Sequence, residues 1–310
     1  MSVNTKFSMI DHSYGKSKIK LLYVNKENNR HDAAEYEIDI MLKLDNINDY
    51  TIECNKSVIA TDSQKNTVYI LAKKYGIKSP EEFGQQICKH FLGTYQQVTS
   101  VTVNIAKLPW NRININGSEH NHAFFSCGNN AIDTSETRIA TISQRRNSPL
   151  IVSAGIEGLS LLKTSQSGFT GFVNDEYRTL PDHKDRIFKT IVSASWEYQK
   201  TCCSSIDYDN LYNRIRNITI EAFAGNCKDG IYSSSAQSTL FRICDQILKN
   251  IAQISEITMK IPNIHYLDLD FTRFNKVLSD EIKNAHQVYL PLEKPYGVIF
   301  GTLKRNSSKL

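Results

Sequence analysis

Arg186 stands behind a segment bearing Gly168, Gly171 and Pro181, at the head of an apolar alternation. A guanidinium there offers two parallel hydrogen bonds to a planar anion, although a lone arginine more often pairs with a surface carboxylate. Gln237 follows the run Ser233-Ser234-Ser235. Such a run opens a helix, and a helix N-terminus favours negative charge, yet alone it is just a capped start. Phe169, between Gly168 and Gly171, suits stacking on a flat ligand, or equally pinning its own loop to the core. Asn263 and His265 are two apart, so on a strand they share a face, either a site wall or a solvent face. Lys16, in Tyr14-Gly15-Lys16, becomes a base only if burial or a neighbouring cation lowers its pKa; the default is a solvated lysine. Thr61 and Asp62 follow the apolar run Val58-Ile59-Ala60, where small polar residues commonly cap a helix. His120 and His122 put two imidazoles on one face of a strand. No third histidine or glutamate follows at a familiar spacing, so a hydrogen-bonded pair is expected there and no metal site.

The elements that must position these residues are legible in the patterning. Tyr36, Ile38, Ile40, Leu42 and Leu44 alternate with polar residues, as in an antiparallel strand with one wet face. Another strand is read over 18–26. A helix runs from Thr61-Asp62-Ser63 to Lys73, Lys74 and Gly76, with Asp62 or Ser63 available to cap it. Ser79-Pro80-Glu81-Glu82 reads as a capping box, and Phe83, Ile87, Phe91 and Tyr95 mark one face of the helix behind it. Strands follow over 98–108 and 121–128. The second half repeats the order: strands over 137–144, 150–164 and 186–198, helices over 208–224 and 236–252, and strands over 254–269 and 297–304. Leu211, Ile215, Ile218 and Ala222 lie at helical spacing in the first of those helices, and Leu240, Ile243, Ile247 and Ile251 in the second. The repeat is one of element order, not of residues. A four-stranded antiparallel unit leaves open edges, and closing into a barrel with other copies is one way to cover them.

Length, charge and cysteines bound the class. The 310 residues suffice for about two domains at roughly 150 residues each. A net charge of +5 without long like-charge blocks argues against a dedicated nucleic-acid surface. Seven cysteines, an odd number with no C-x-x-C pair, read as reduced thiols. No glycine-rich phosphate cradle is present, the N-terminus lacks a secretory core, and no apolar run reaches the length of a membrane span. The chain ends in Ser308-Lys309-Leu310, a peroxisomal address read by an import receptor, behind a basic stretch expected to be mobile.

Taken together, in this order and spacing, the residues resemble those of urate oxidases, or uricases. The likeness runs from Tyr14-Gly15-Lys16 through residues 58–74, with Thr61-Asp62-Ser63-x-Lys65-Asn66 among them, residues 104–110, 120–124 and 158–186, then 263–266 and Pro295-Tyr296-Gly297, to the terminal tripeptide. The resemblance implies an α+β tunnelling fold: tandem T-fold units over 14–135 and 136–304, built of antiparallel sheets and helix pairs, a flexible tail over 305–310, and a barrel-centred homotetramer. It implies oxidation of urate by O2 to 5-hydroxyisourate and H2O2 with no metal and no organic cofactor. Residue by residue, Lys16 and Thr61 match the pair that relays a proton from urate, and His265 completes the relay. Arg186 and Gln237 match the clamp on the purine, Phe169 the ring stacked under it, and Asn263 the amide that holds O2 or water above it. Thr61 and Asp62 would reach the site from a neighbouring subunit. Ala236 departs from the family, where a larger aliphatic residue is common, though its backbone N–H still suits the ligand. Two other readings carry different chemistry. One is a pterin-acting enzyme of the same fold, which would want a zinc site. The other is an inactive purine-binding or structural protein of the peroxisomal matrix.

Overall fold

The computed structural model describes residues 7–26, 29–126, 136–199, 206–271, 274 and 287–306. Ser308-Lys309-Leu310, Cys127, Cys202 and Cys203 lie outside them. Eight strands form one antiparallel sheet. They are β1 (Tyr14–Asn25), β2 (Asp32–Leu44), β3 (Val98–Lys107), β6 (Thr137–Arg145), β7 (Ile151–Lys163), β8 (Phe188–Tyr198), β9 (Ile254–Asp268) and β10 (Tyr289–Lys304), adjacent in that order. The hairpin β4 (Asn111–Ile115) and β5 (Ser118–Phe125) stands apart as a second, two-stranded sheet. A short α1 (Asn48–Thr51) precedes α2 (Thr61–Tyr75) and α3 (Pro80–Thr94); α4 (Tyr208–Ala224) and α5 (Ala236–Asn250) lie in the second half.

The alternation in β2 buries Tyr36, Ile38, Ile40, Leu42 and Leu44 as expected. On β8 the same face holds Phe188, Val192, Ala194, Trp196 and Tyr198. These faces pack under the helices. In α5, Leu240, Ile243 and Ile247 are buried, as is Ile251 just after its end. The buried stripe of α4 is rotated from the expected one: it runs through Tyr208, Leu211, Tyr212, Ile215, Thr219 and Phe223, with Ile218 and Ala222 only partly covered.

Two local expectations are corrected, and a third holds. The fourth strand of the first half is β6, which pairs with β3; residues 118–125 instead pair with 111–115, a strand the patterning does not show. Helix α2 begins on Thr61 itself, with Ala60 at the N-cap and no side chain capping it. The Asp62 carboxylate turns along the helix to Lys65 at 2.6 Å and Asn66 at 3.0 Å. At α3, Ser79 accepts from the Glu82 N–H and Pro80 is the first helical residue. The side chain that leaves for other work is Glu81, fully buried against Arg138 at 2.7 Å.

The two halves repeat in local geometry as well as in element order. The β1–β2 register slips between Lys16 and Ile19, and the β7–β8 register between Ile156 and Leu159. Lys18 and Gly158, at matching places in those bulges, both have positive φ. Arg146 and Arg305, just beyond β6 and β10, donate to three carbonyls each, at Leu92, Tyr95 and Val98 and at Leu248, Ile251 and Ile254. Arg305 is thus anchored, although the sequence places it in a free tail.

Candidate active site

Arg186 lies two residues before β8 and is fixed by its backbone, whose N–H donates to Ser167 O at 2.7 Å. The segment from Ser167 to Phe169 is stitched on both sides. Phe169 and His183 exchange N–H···O bonds of 2.7 and 3.0 Å, and Gly168 N–H donates to Ser233 O at 2.8 Å. Gly168 is required there: a Cβ would fall 2.1 Å from the Tyr232 hydroxyl. These bonds set the Arg186 guanidinium 5.4 Å from the centre of the Phe169 ring. Phe169 also stacks on Phe172, with centroids 4.5 Å apart and planes at 12°.

His265 joins this group. Burial holds its pKa below the ordinary histidine value, and the Arg186 charge adds to the effect, which leaves the imidazole able to accept a proton at neutral pH. Asn263 precedes it on β9 by two residues. Opposite them the β9–β10 register breaks: Leu292 faces His265, Gly297 faces Asn263, and the residues between bulge out of β10. Bulges commonly sit beside sites because they re-aim side chains. Gln237 comes in on α5 as its second residue, close behind Ser233. Ala236 is the first residue of that helix and is buried; its N–H belongs to the turn that has no intrahelical acceptor.

Lys16, Thr61 and Asp62 form a separate group. The Asp62 carboxyl is held below its usual range by Lys65 first, with Lys16 a smaller contributor, so the two segments are near each other. The Tyr14 hydroxyl accepts from Ile59 N–H at 2.8 Å, tying the start of β1 to the entry of α2. Gly15 permits this edge to close, since a Cβ there would lie 1.7 Å from Ile40 O. Yet β1 is the first strand of the sheet and β9 the seventh. Six strand spacings separate them, about 29 Å along the sheet. One chain therefore assembles Phe169, Arg186, Gln237, Asn263 and His265 at one end, and Lys16, Thr61 and Asp62 at the other.

Among the described residues, the side chains of Lys16, Thr61, Arg186, Gln237, Asn263 and His265 make no hydrogen bond to the protein. The Arg186 Nε is buried without a partner, a state that costs about 1–3 kcal/mol. An acceptor on a bound ligand would remove that cost.

The family model described as Uricase matches residues 12–134 and 152–300. The chain belongs to the uricase family. It is 37% identical over 322 residues to the uricase of Drosophila melanogaster, covering 97% of this chain and 90% of that one. To the uricase of Oryctolagus cuniculus it is 37% identical over 305 residues, covering 98% and 97%. The crystal structure of uricase from Arthrobacter globiformis superposes with a TM-score of 0.86 at 32% identity, over 99% of this chain and 98% of that one. The α+β fold with antiparallel sheets is therefore the uricase fold.

Other candidates fall outside these groups. His120 and His122 share a face of β5, with ring centroids 4.7 Å apart, and His122 N–H donates to His120 Nδ1 at 3.2 Å. Among the described residues no group of three or more His, Cys, Asp or Glu side chains is placed to hold a metal ion. No helix among them is long and apolar enough to cross a membrane. A hollow of about 860 Å³ near Lys107, Trp110 and Arg216, and one of about 580 Å³ between α4 and α5, include none of the site residues. Sequence reasoning missed Tyr14, Lys163, Ser233 and Arg242 as supports of the site. Their partners are 9 to 70 residues away in the chain, so no local spacing signals them.

Proposed function

We propose that this uricase-family chain oxidises urate with O2 and water, giving 5-hydroxyisourate and H2O2, without metal or organic cofactor. The observation that carries this reading is the Arg186 guanidinium, its buried Nε without a partner, 5.4 Å from the centre of the Phe169 ring. Urate is a flat anion at neutral pH. Arg186 offers it two hydrogen bonds from one edge, Gln237 and the Ala236 N–H meet another edge, and Phe169 stacks beneath. Holding the ring in one orientation itself lowers the barrier.

Lys16 and Thr61, with Asp62 beside them, come from a neighbouring copy of the chain. The Lys16–Thr61 pair takes a proton from bound urate, and His265 passes it on. The resulting dianion is electron-rich enough to give electrons to O2, while Asn263 holds O2 or water above the ring. Water then adds to the oxidised ring, so that urate, O2 and H2O balance 5-hydroxyisourate and H2O2. Such sites need at least a dimer. A homotetramer closed as a barrel would pair the open edges of β1 and β10, which lie at the two ends of the sheet in one chain. The terminal Ser308-Lys309-Leu310 directs the protein to the peroxisome, a fitting compartment for a peroxide-forming reaction.

The test is direct. EDTA-treated protein is mixed with urate in air while urate absorbance, O2 and H2O2 are followed. Equal loss of urate and O2 with matching H2O2 is expected. Absence of turnover would sink the reading; turnover only on adding zinc or iron would sink its cofactor-free form.

A further inference from the structure

Lys163 and Arg242 are two partly buried cations that the reaction above does not use. Among the described residues neither has a carboxylate partner. Burial, with Arg242 adding to it, lowers the Lys163 pKa to about 8. Both spend their donors on oxygens at and beyond the C-terminal end of α4. Arg242 Nε donates to Ala222 O at 3.0 Å and its Nη1 to Tyr232 O at 3.2 Å. Lys163 Nζ donates to Ile231 O at 2.9 Å and lies 3.4 Å from Phe223 O. A helix C-terminus presents unsatisfied carbonyls and negative partial charge, so cations suit it.

The two cations also meet on one hydroxyl. Ser233 is fully buried; its Oγ accepts from Lys163 Nζ at 2.7 Å and Arg242 Nη2 at 3.2 Å, and lies 2.7 Å from Thr239 Oγ1. The backbone of the same residue is the seam of the purine clamp. Ser233 O accepts from Gly168 N–H at 2.8 Å, and Ser233 N–H donates to Gln166 O at 2.9 Å. Ser167, between those two, accepts from Arg186 N–H. Two residues beyond Ser233, Ser235 caps the helix that carries Gln237. A shift of Ser233 therefore moves Phe169 and Arg186 on one side and Gln237 on the other.

We infer that Lys163 is a positioning residue for the substrate: through Ser233 it holds the Phe169–Arg186 loop and the start of α5 in the one relative placement that clamps the purine. The inference rests on the urate reading for its ligand but not for its geometry. Lys163 does not touch urate. It sets the distance between the groups that do.

The experiment compares wild type with Ser233→Ala, Lys163→Met and Lys163→Arg. Urate kinetics and hydrogen exchange of the intact protein are both measured. Ser233→Ala and Lys163→Met are expected to raise KM for urate about tenfold while kcat changes less than about threefold. Lys163→Arg, which keeps charge and donors, should recover most of the affinity. In the two damaged variants the 165–186 segment should exchange faster while 98–107 stays protected. A loss confined to kcat, in step with loss of folded protein and with KM unchanged, would overturn the inference in favour of a purely structural lysine. Unchanged exchange over 165–186 in both variants would overturn it whether or not wild type oxidises urate. A wild type that leaves urate untouched refutes the functional reading alone, and the exchange result still decides the role of Lys163.

Discussion

Arg146 and Arg305 hold equivalent places in the two halves of the chain. Each follows the fourth strand of its half, and each donates a backbone N–H to the residue just past the start of the third strand, Thr99 or Ser255. The guanidinium of each then gathers three carbonyls spaced three residues apart behind the second helix. The fork geometry of arginine lets one side chain satisfy several oxygens that the helix end leaves open.

Arg146→Ala and Arg305→Ala should therefore cost similar stability, each about 2–4 kcal/mol from carbonyls left without a donor. Replacement by lysine should recover only part, since an ammonium cannot reproduce the fork. Thermal or urea unfolding of the two variants checks this. A loss within about 0.5 kcal/mol for Arg305→Ala would show that the C-terminal anchor carries no weight.

The separation of Lys16 and Thr61 from Arg186 predicts complementation between subunits. Thr61→Ala and Arg186→Gln proteins should each be nearly inactive alone. Assembled together from unfolded or co-expressed chains, they should regain about a quarter of wild-type activity. Random pairing makes about half the pairs mixed, and each mixed two-site pair has one intact site. No recovery in mixed assemblies would place the whole site within one chain.

On the proposed reading, Lys16→Met should slow turnover far more than it weakens urate binding. A base acts in the transition state, whereas a binding residue acts in both states. Single-turnover rates measured beside equilibrium binding of urate without O2 separate the two. Equal losses would make Lys16 a binding residue.

His265 should titrate below the ordinary histidine value of about 6.5, because burial and then the Arg186 charge both disfavour its protonated form. Its neutral, proton-accepting form therefore persists to lower pH than in a free histidine. Arg186→Gln removes the smaller cause and should move the titration up without restoring it fully. NMR of the ring in both proteins reads this directly. A His265 titration at or above 6.5 in wild type would contradict the placement.

Gly15→Ala should disturb the first strand because its Cβ would strike the Ile40 carbonyl. Lys16 follows it directly, so activity should fall well before the fold is lost. The readout is urate turnover compared with far-UV circular dichroism. Wild-type turnover in the Gly15→Ala protein would show that this edge adjusts without moving Lys16.

Much of the frame was legible in the chain alone. The β2 alternation and the spacing in α5 each bury the face they predicted, because periods of 2 and 3.6 are local properties of the backbone. Local reading failed where two structures compete for the same polar residues. Thr61-Asp62-Ser63 looks like a cap, yet Ala60 takes the cap position and Asp62 pairs along the helix, leaving the Thr61 hydroxyl free. Residues 121–128 look like a sheet strand, yet the fourth place in the first half belongs to β6. The sheet chooses between such candidates by long-range pairing, which alternation alone does not encode.

By its own residue types and order, the sequence shows that this chain carries an Arg, a Gln, a Phe, an Asn, a His and a Lys–Thr pair, on elements of two similar α+β halves, in an order that resembles uricases. Only the tertiary structure decided which of them meet. Pairing of β8 with β9 and of β9 with β10, and the bonds of Ser233 to the 166–168 loop, bring Arg186, Phe169 and His265 together and put Asn263 and the start of α5 at the same end of the sheet. The same sheet order puts Lys16 and Thr61 at its far edge. The physical reason is that strand order follows from backbone hydrogen bonding between distant segments, and the cost of closing those loops is met by the whole buried core rather than by any local motif.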